Sequence, residues 1–246
     1  MKVTVVTPYC REPLEVISRA RQSVLDQTYP CRHVLVADGF PRQEIDAWDV
    51  DHIVLPGPHR DYGNTARAAG GMSALNLGAE AVAYLDADNW YAPDHIESLV
   101  DLCSKTGCHV AFSDRQVVLS TGELCMEDDI KSKRRMHVDT SCFFVTDRAA
   151  HILPLWGMVD PAISEAGDRL VYQIIRNRRL PIAFTGRKTL FYESRWAIHY
   201  LMMGRQPPPD AHQVIWKDVR ARYSRRRQAW RLGFFPPKSR ADAINP

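Results

Sequence analysis

The sequence predicts an α/β fold with a mainly parallel central sheet flanked by helices. Strand-like apolar runs alternate with segments of ten or more residues that have helical periodicity, and strands connected in this way form right-handed βαβ units. Polar side chains directly follow several of these runs. In a parallel sheet such positions share one rim, where ligands bind. The sequence therefore predicts both the fold class and the edge of the sheet that carries the site.

The N-terminal half supplies four of the expected strands and three helices. The strands are expected at residues 3–7, 33–37, 52–55 and 81–85. One helix begins at Pro13, because proline suits the first turn of a helix. A second begins at Asn64 and runs to about Ala79, and a third begins at Pro93.

The C-terminal half contains three further expected strands, at residues 109–112, 142–146 and 182–184. A helix with one apolar face is expected to follow Asp168. Three consecutive prolines at residues 207–209 then interrupt the pattern. The sequence thus predicts a globular domain over residues 1–206, followed by a proline-rich hinge and tail over residues 207–246.

The tail has a charge of its own. Residues 211–246 hold nine Lys or Arg and two Asp, whereas the whole chain has a net charge of +3. A mildly acidic body with a basic tail is not typical of nucleic-acid-binding proteins. The tail mixes arginine with aromatic residues at roughly helical spacing, and two interpretations are open: it lies on an anionic membrane surface, or it packs on the body or on a second subunit.

The sequence gives no sign of export. No run approaches the ~18 apolar residues that a bilayer-spanning helix needs, and the N-terminal apolar run is broken by Pro8 too early for a signal peptide. The six cysteines include no C-x-x-C pair and no zinc spacing. We therefore expect reduced thiols and a cytoplasmic protein, with peripheral membrane contact left open.

Asp86-Ala87-Asp88 is the most informative motif. It directly follows the apolar run at residues 81–85, and alternate side chains at the end of a strand point the same way. Two carboxylates there can share a hard cation such as Mg²⁺ or Mn²⁺, whose remaining ligands are phosphate oxygens and water. Such a cation neutralises charge on a departing diphosphate. A solvated turn is the alternative for this short motif.

The order of motifs resembles family 2 glycosyltransferases of the GT-A fold. The resemblance rests on Val-Val-Thr-Pro-Tyr at residues 5–9, Ser-Val-Leu-Asp-Gln-Thr-Tyr-Pro at 23–30, Val-Ala-Asp-Gly at 36–39 and Tyr-Leu-Asp-Ala-Asp-Asn at 84–89. It covers roughly residues 1–200 and makes residues 1–206 the catalytic domain. It implies transfer of a sugar, with inversion, from a nucleotide diphosphate donor, UDP being favoured, to a hydroxyl group of a saccharide or glycolipid.

The resemblance also implies residue roles on the donor side. The expected donor-binding residues are Thr7, Pro8, Tyr9, Asp38, Arg67, Asp86 and Asp88. Arg67 lies where the family has Ala-Arg-Asn, although Ala68 replaces the asparagine, and a solvated helix position is the alternative. His199 is expected to join Asp86 and Asp88 as a metal ligand, because neutral imidazole suits Mn²⁺; the alternative is a hydrogen-bonded core histidine.

On the acceptor side, the family places its catalytic base on an acidic pair where this chain has Gly167-Asp168. Asp168 is the expected base and Glu165 the second candidate, although acids in a first helical turn are also favoured by the helix dipole. Asp139 and Trp156 are the expected acceptor-binding residues, and a core position is the alternative for Trp156.

Two other functions compete with the transferase. A sugar nucleotidyltransferase needs a glycine-rich loop after the first strand, and residues 7–13 contain no glycine. A non-catalytic nucleotide-sugar-binding module of the same fold needs no base, so the presence of Asp86, Asp88 and Asp168 together argues against it.

Overall fold

The structure, a computed structural model, describes residues 1–127, 137–213, 218, 221, 222 and 224. The chain divides into two compact units, Met1–His212 and Gln213–Pro246. The first unit ends shortly after the predicted proline-rich hinge begins. In the second unit the four described residues beyond Gln213 are helical, and the other tail residues, including the predicted aromatic stripe, lie outside the described part of the chain.

The first unit is built on one mixed β-sheet. Its strands are β1 Val3–Tyr9, β2 Cys31–Asp38, β3 Asp51–Leu55, β4 Ala81–Tyr84, β5 Trp90–Tyr91, β6 Val110–Val118, β7 Leu124–Glu127, β8 Phe143–Thr146 and β9 Ile182–Glu193. Their order across the sheet is β3-β2-β1-β4-β8-β6-β9-β5, and β7 pairs with β6.

Helices lie between the strands, as the sequence predicts. They are α1 Leu14–Leu25, α2 Asn64–Asn76, α3 His95–Thr106, α4 Gly167–Asn177 and α5 Ala197–Met202. Short 3-10 segments occupy Gln43–Ala47, Thr140–Cys142, Asp147–Met158 and Pro161–Ala166. Helix α2 ends at Asn76, earlier than expected at Ala79, because Gly78 adopts a φ of 86° and a left-handed glycine stops a helix.

The parallel half of the sheet brings the predicted site residues to one rim. Strand β1 pairs in parallel with β2 and β4, and β2 pairs in parallel with β3. The carboxyl ends of β1 and β2 carry Tyr9 and Asp38, and Asp86 follows β4. This half confirms the predicted βαβ organisation.

The other half contains antiparallel pairs that helical spacing does not reveal. Strand β8 lies antiparallel between β4 and β6, whereas β6 and β9 run parallel to each other. Both β6 and β9 extend well beyond the predicted 109–112 and 182–184. The added residues are mixed in polarity and include Asp114 and Arg115 in β6. Hydrogen bonding between β6 and β9 makes them strands, and an apolar pattern does not predict it.

Close packing of α2 against the sheet depends on Gly70. A Cβ atom at this position would lie 2.5 Å from Val6 Cγ1 and 2.8 Å from Val36 Cγ2. The absent side chain therefore lets the helix backbone approach β1 and β2. The distance between α2 and the sheet also determines how far Arg67, one turn earlier on the same helix, lies from the rim.

The cysteines are free thiols. Cys103 and Cys108 are both buried, with their sulfur atoms 3.3 Å apart. Among the described residues, no helix is long and apolar enough to cross a membrane.

Candidate active site

The two carboxylates after β4 lie on the wall between two neighbouring cavities. One cavity has a volume of about 250 Å³ and the other about 170 Å³. The residues that line both are Tyr62, Arg67, Asp86, Asp88, Arg195 and His212. The larger cavity opens toward the ends of β1 and β2, and the smaller toward the start of α4, so we call them the β1 cavity and the α4 cavity.

Three of the four expected residues from the strand ends reach the β1 cavity: Pro8, Tyr9 and Asp38 line it. The expectation for Thr7 is wrong. Its side chain is fully buried, and its hydroxyl group lies 2.9 Å from His33 Nε2. The contact with His33 of β2 holds this hydroxyl group inside the fold, away from the cavity.

Asp38 is held in place by a histidine from the loop after β3. The backbone N–H of His59 donates to both Asp38 carboxylate oxygens at 3.2 Å. His59 Nδ1 lies 2.6 Å from Asp38 Oδ1. Asp38 itself is buried. The Asp38 carboxylate, which lines the β1 cavity, is therefore held in one orientation.

Arg67 is buried and connects the loop before α2 to Asp86. Its Nη2 lies 2.5 Å from Asp86 Oδ1, and its Nη1 donates to the Tyr62 carbonyl oxygen at 2.6 Å. Burial acts to lower the pKa of Arg67, but the Asp86 carboxylate outweighs it and the pKa is raised. The solvated helix position considered for Arg67 is thereby excluded.

The loop before α2, to which Arg67 donates a hydrogen bond, has an unusual backbone conformation. Arg60 and Tyr62 adopt φ values of 54° and 56°, in the left-handed region, and Gly63 follows at 76°. Left-handed conformations are costly for residues with side chains and are often found at functional sites. All three residues line the β1 cavity, so the strained backbone faces the site.

Asp88 lies beside Asp86 in an environment that disfavours its charge. Burial, and then repulsion from Asp86, raise the pKa of Asp88 to about 7, although Arg195 opposes the shift. Arg195 Nε lies 3.4 Å from Asp88 Oδ2. Arg19 Nη2 from α1 donates to the Asp88 backbone carbonyl at 2.7 Å. Arg195 thus offsets only part of the cost of a negative charge on Asp88. The carboxylate oxygens of Asp86 and Asp88 are hard ligands of the kind that a divalent cation prefers.

His199 does not complete this donor set. Within residues 1–127 and 137–213, and at the four tail residues, no three His, Cys, Asp or Glu side chains lie close enough to hold a metal ion. His199 lies on α5 with its Nδ1 2.6 Å from Ser194 Oγ. The expectation of a third protein ligand at His199 is therefore wrong in this structure. Helix α5 begins directly after Trp196, and its direction places the His199 imidazole next to Ser194.

The predicted base lies in the α4 cavity, in the first turn of α4. Asp168 and Glu165 both line this cavity. Asp168 Oδ2 lies 2.5 Å from His137 Nε2, and Asp168 Oδ1 accepts from the Arg169 backbone N–H at 2.6 Å. Burial acts to raise the pKa of Asp168, but the His137 contact and Arg169 outweigh it, so the pKa is lowered. The carboxylate is ionised at neutral pH.

Asp139 is a buried part of the same cavity wall. Arg115 Nη1 donates to Asp139 Oδ2 at 2.8 Å, and the Ser141 backbone N–H donates to Oδ1 at 3.0 Å. Burial raises the pKa of Asp139, and Arg115 opposes that shift. The position fits the predicted contact with an acceptor.

Trp156 does not reach the site. Its side chain is fully buried, with its ring edge-on to Tyr84 at 5.6 Å and to Phe143 at 5.5 Å between centroids. The predicted stacking of Trp156 on a sugar is therefore wrong, and its alternative as a core residue is correct. A different tryptophan, Trp196, lines the α4 cavity, with its Nε1 donating to the Tyr192 hydroxyl oxygen at 2.6 Å.

Several wall residues were missed by the sequence-based prediction. Asp61, Tyr62 and His212 belong to loops that carry no apolar pattern. No role is predicted for His137 from the sequence. The spacing of His137 and Asp139 is a signal that could have connected His137 to the site, since alternate residues of an extended chain share a face.

The chain is similar to known proteins in sequence and in fold. The model of the family described as glycosyl transferase family 2 matches residues 4–144, more than half of the chain. The crystal structure of S. aureus TarS residues 1–349 superposes with a TM-score of 0.59 at 13% identity, covering 86% of this chain and 68% of that one. The same fragment in complex with UDP gives a TM-score of 0.59 at 12% identity, with the same coverage of 86% and 68%.

The longer TarS structure gives a TM-score of 0.57 at 12% identity, and the match covers 82% of this chain but 38% of that one. At such identities the similarity shows the fold alone, and it confirms the expected GT-A architecture. No curated protein matches the chain in sequence. The ordered motifs, the mixed sheet and the family match together show that the chain belongs to glycosyl transferase family 2 and is a glycosyltransferase.

Proposed function

We propose that this glycosyltransferase moves a sugar from a nucleotide diphosphate sugar to a hydroxyl group, with inversion at the anomeric carbon and with a divalent cation. The observation that carries the proposal is the position of Asp86 and Asp88 on the wall shared by the β1 and α4 cavities. A diphosphate bound at this wall would have its nucleoside on one side and its sugar on the other.

The β1 cavity is the proposed donor site. Its wall combines Tyr9 and Pro8 with the fixed carboxylate of Asp38, which suits a planar base that carries an N–H group. Arg67 and Arg195 suit the phosphates, because guanidinium groups pair with phosphate oxygens. TarS has been crystallised with UDP and with UDP-GlcNAc, so UDP is the first nucleotide to test.

Mn²⁺ or Mg²⁺ is the proposed cofactor. Asp86 and Asp88 would hold the cation, and diphosphate oxygens and water would supply the ligands that the chain lacks. The raised pKa of Asp88 supports this fit, since a neighbouring positive charge relieves the repulsion that Asp86 exerts on it. When bound, such a cation supplies Lewis-acid stabilisation of the leaving diphosphate.

Asp168 is the proposed catalytic base. It takes the proton from the acceptor hydroxyl group as that oxygen attacks the anomeric carbon of the donor sugar. The new carbon–oxygen bond forms while the bond to the diphosphate breaks, and the electron pair leaves on the diphosphate oxygen. Attack from the side opposite the leaving group inverts the anomeric centre. Glu165, in the same wall, is the second candidate.

A saccharide or a glycolipid is the proposed acceptor. Asp139, Asp168 and Arg195 line the α4 cavity together. Carboxylates can accept hydrogen bonds from the several hydroxyl groups of a sugar, and a guanidinium group can donate to them. Peripheral membrane contact or subunit contact through the basic tail is a further proposal. Most of the tail lies outside the described residues.

The test is release of nucleoside diphosphate from a panel of UDP-, GDP- and dTDP-sugars, with and without Mn²⁺. We expect Asp88→Asn to lose Mn²⁺-dependent donor binding, and Asp168→Asn to bind donor normally but turn over at least about 100-fold more slowly. Asp49→Asn, an exposed carboxylate outside both cavities, is the matched control. Wild-type turnover by Asp168→Asn would overturn the base assignment.

A further inference from the structure

One short segment, residues 137–141, contacts three different parts of the site. His137 contacts Asp168, Asp139 pairs with Arg115, and the Ser141 hydroxyl oxygen accepts from the Asp86 backbone N–H at 3.0 Å. Val138, between the first two, is buried in the core. The segment is thus anchored in the core between His137 and Asp139 and joins the start of α4 to the turn that carries Asp86.

His137 makes the shortest of these contacts. Its Nε2 lies 2.5 Å from Asp168 Oδ2, and both side chains are largely shielded, with 25% and 16% of their surface exposed. A short contact to a carboxylate in a shielded setting is stronger than the same contact in water. The other Asp168 oxygen is fixed by the Arg169 backbone N–H, so His137 is the side-chain partner that sets the direction of the carboxylate.

We propose that His137 is a positioning residue for Asp168, holding the carboxylate aimed into the α4 cavity and ready to take a proton. This inference rests on the proposed role of Asp168 as the base. His137 does not itself touch the reacting atoms. It donates from Nε2 to one carboxylate oxygen and leaves the remaining lone pairs of that carboxylate for the acceptor hydroxyl group.

The charges around Asp168 explain why a partner is needed. Asp139 and Glu165 line the same cavity, and Arg169 directly follows Asp168 in the chain. Burial favours the protonated form of Asp168. His137 opposes it, and its contact is the main reason that the pKa of Asp168 is lowered in spite of burial. Without His137 the pKa of Asp168 would be higher, so the base would already become protonated and inactive at a higher pH.

The kinetic test compares two substitutions of His137. His137→Ala should lower kcat at least about tenfold, leave the donor KM unchanged and move the acidic limb of the kcat profile to higher pH. His137→Gln, whose amide N–H can reach the same carboxylate oxygen, should recover part of kcat. His151→Ala, at an exposed histidine outside both cavities, is the control. Wild-type kcat and an unmoved acidic limb in His137→Ala would overturn the inference.

A second measurement does not need turnover. In protein labelled with ¹³C at aspartate side-chain carboxyl groups, the Asp168 signal is assigned by its loss in Asp168→Asn. We expect Asp168 to titrate below the ordinary aspartate range in the wild type and at higher pH in His137→Ala. Identical titration in both proteins would overturn the inference even if the enzyme is active. Lack of diphosphate release by the wild type, with the expected titration shift present, would instead count against the proposed function alone.

Discussion

The Ser141 hydroxyl oxygen accepts a hydrogen bond from the backbone N–H of Asp86 at 3.0 Å. The same oxygen lies 3.0 Å from Asn89 Nδ2, and Ser141 is fully buried. A single hydroxyl group from the segment before β8 thereby fixes the start and the end of the turn that carries Asp86 and Asp88. The segment that leads into β8 therefore orients the two carboxylates, and the antiparallel direction of β8 is what the sequence pattern does not reveal.

Ser141→Ala should leave two buried donors without their acceptor. We expect the free energy of unfolding to fall by about 1–3 kcal/mol, since an unsatisfied buried donor keeps its desolvation cost. Donor KM should rise, because the turn is no longer fixed. Chemical denaturation and donor titration measure the two effects.

Ser104→Ala is the matched control, since this exposed helical serine donates only to the Val100 carbonyl oxygen. It should change stability by less than about 0.5 kcal/mol. Equal effects of the two substitutions would contradict the account of the turn.

Trp156 should contribute to stability and not to acceptor binding. Trp156→Ala should lower the free energy of unfolding by about 3–5 kcal/mol, as for other large core residues. Trp156→Phe keeps an aromatic ring in the core and should leave the acceptor KM unchanged. Trp196→Phe, in the cavity wall, is the comparison and should change that KM. A raised acceptor KM in Trp156→Phe alone would restore the sugar-stacking role that the structure excludes.

His33 should make the fold sensitive to acid. Burial, with a smaller contribution from Arg21, lowers the pKa of His33 to about 3, whereas the pKa of histidine in an unfolded chain is about 6.5. The unfolded chain therefore binds the proton first as pH falls, and stability is lost between about pH 6.5 and pH 3. At pH 5 the loss is roughly 2 kcal/mol relative to pH 7.

His33→Gln should reduce that pH dependence, because glutamine does not titrate and can still bond the Thr7 hydroxyl group. Urea unfolding at pH 7 and pH 5 measures the difference. An unchanged difference between the two pH values in His33→Gln would show that His33 is not buried in its neutral form.

The sequence predicted those parts of the fold that depend on local pattern. Apolar runs located β1 to β4 and proline located the start of α1. The position of Asp86 and Asp88 followed because the rim of a parallel sheet is fixed by strand ends. The contact between Thr7 and His33, however, holds Thr7 in the interior, and a list of motif residues does not reveal such a contact.

The remaining site residues depend on how distant segments approach each other. Trp156 and Trp196 are both aromatic residues in the C-terminal half of the first unit, and packing alone decides which one lines a cavity. His199 fits a metal by chemistry, but the direction of α5 takes it to Ser194. His137 is 31 residues from Asp168, so no local pattern could pair them.

The most direct test of the central claim is calorimetric titration of Mn²⁺ into the protein in the presence of saturating UDP, repeated with Asp88→Asn. The account predicts saturable heat for the wild type and none for Asp88→Asn, with Asp49→Asn behaving as the wild type. Absence of saturable heat for the wild type with UDP, GDP or dTDP, or undiminished heat for Asp88→Asn, would contradict the claim that these two carboxylates hold a cation for the diphosphate.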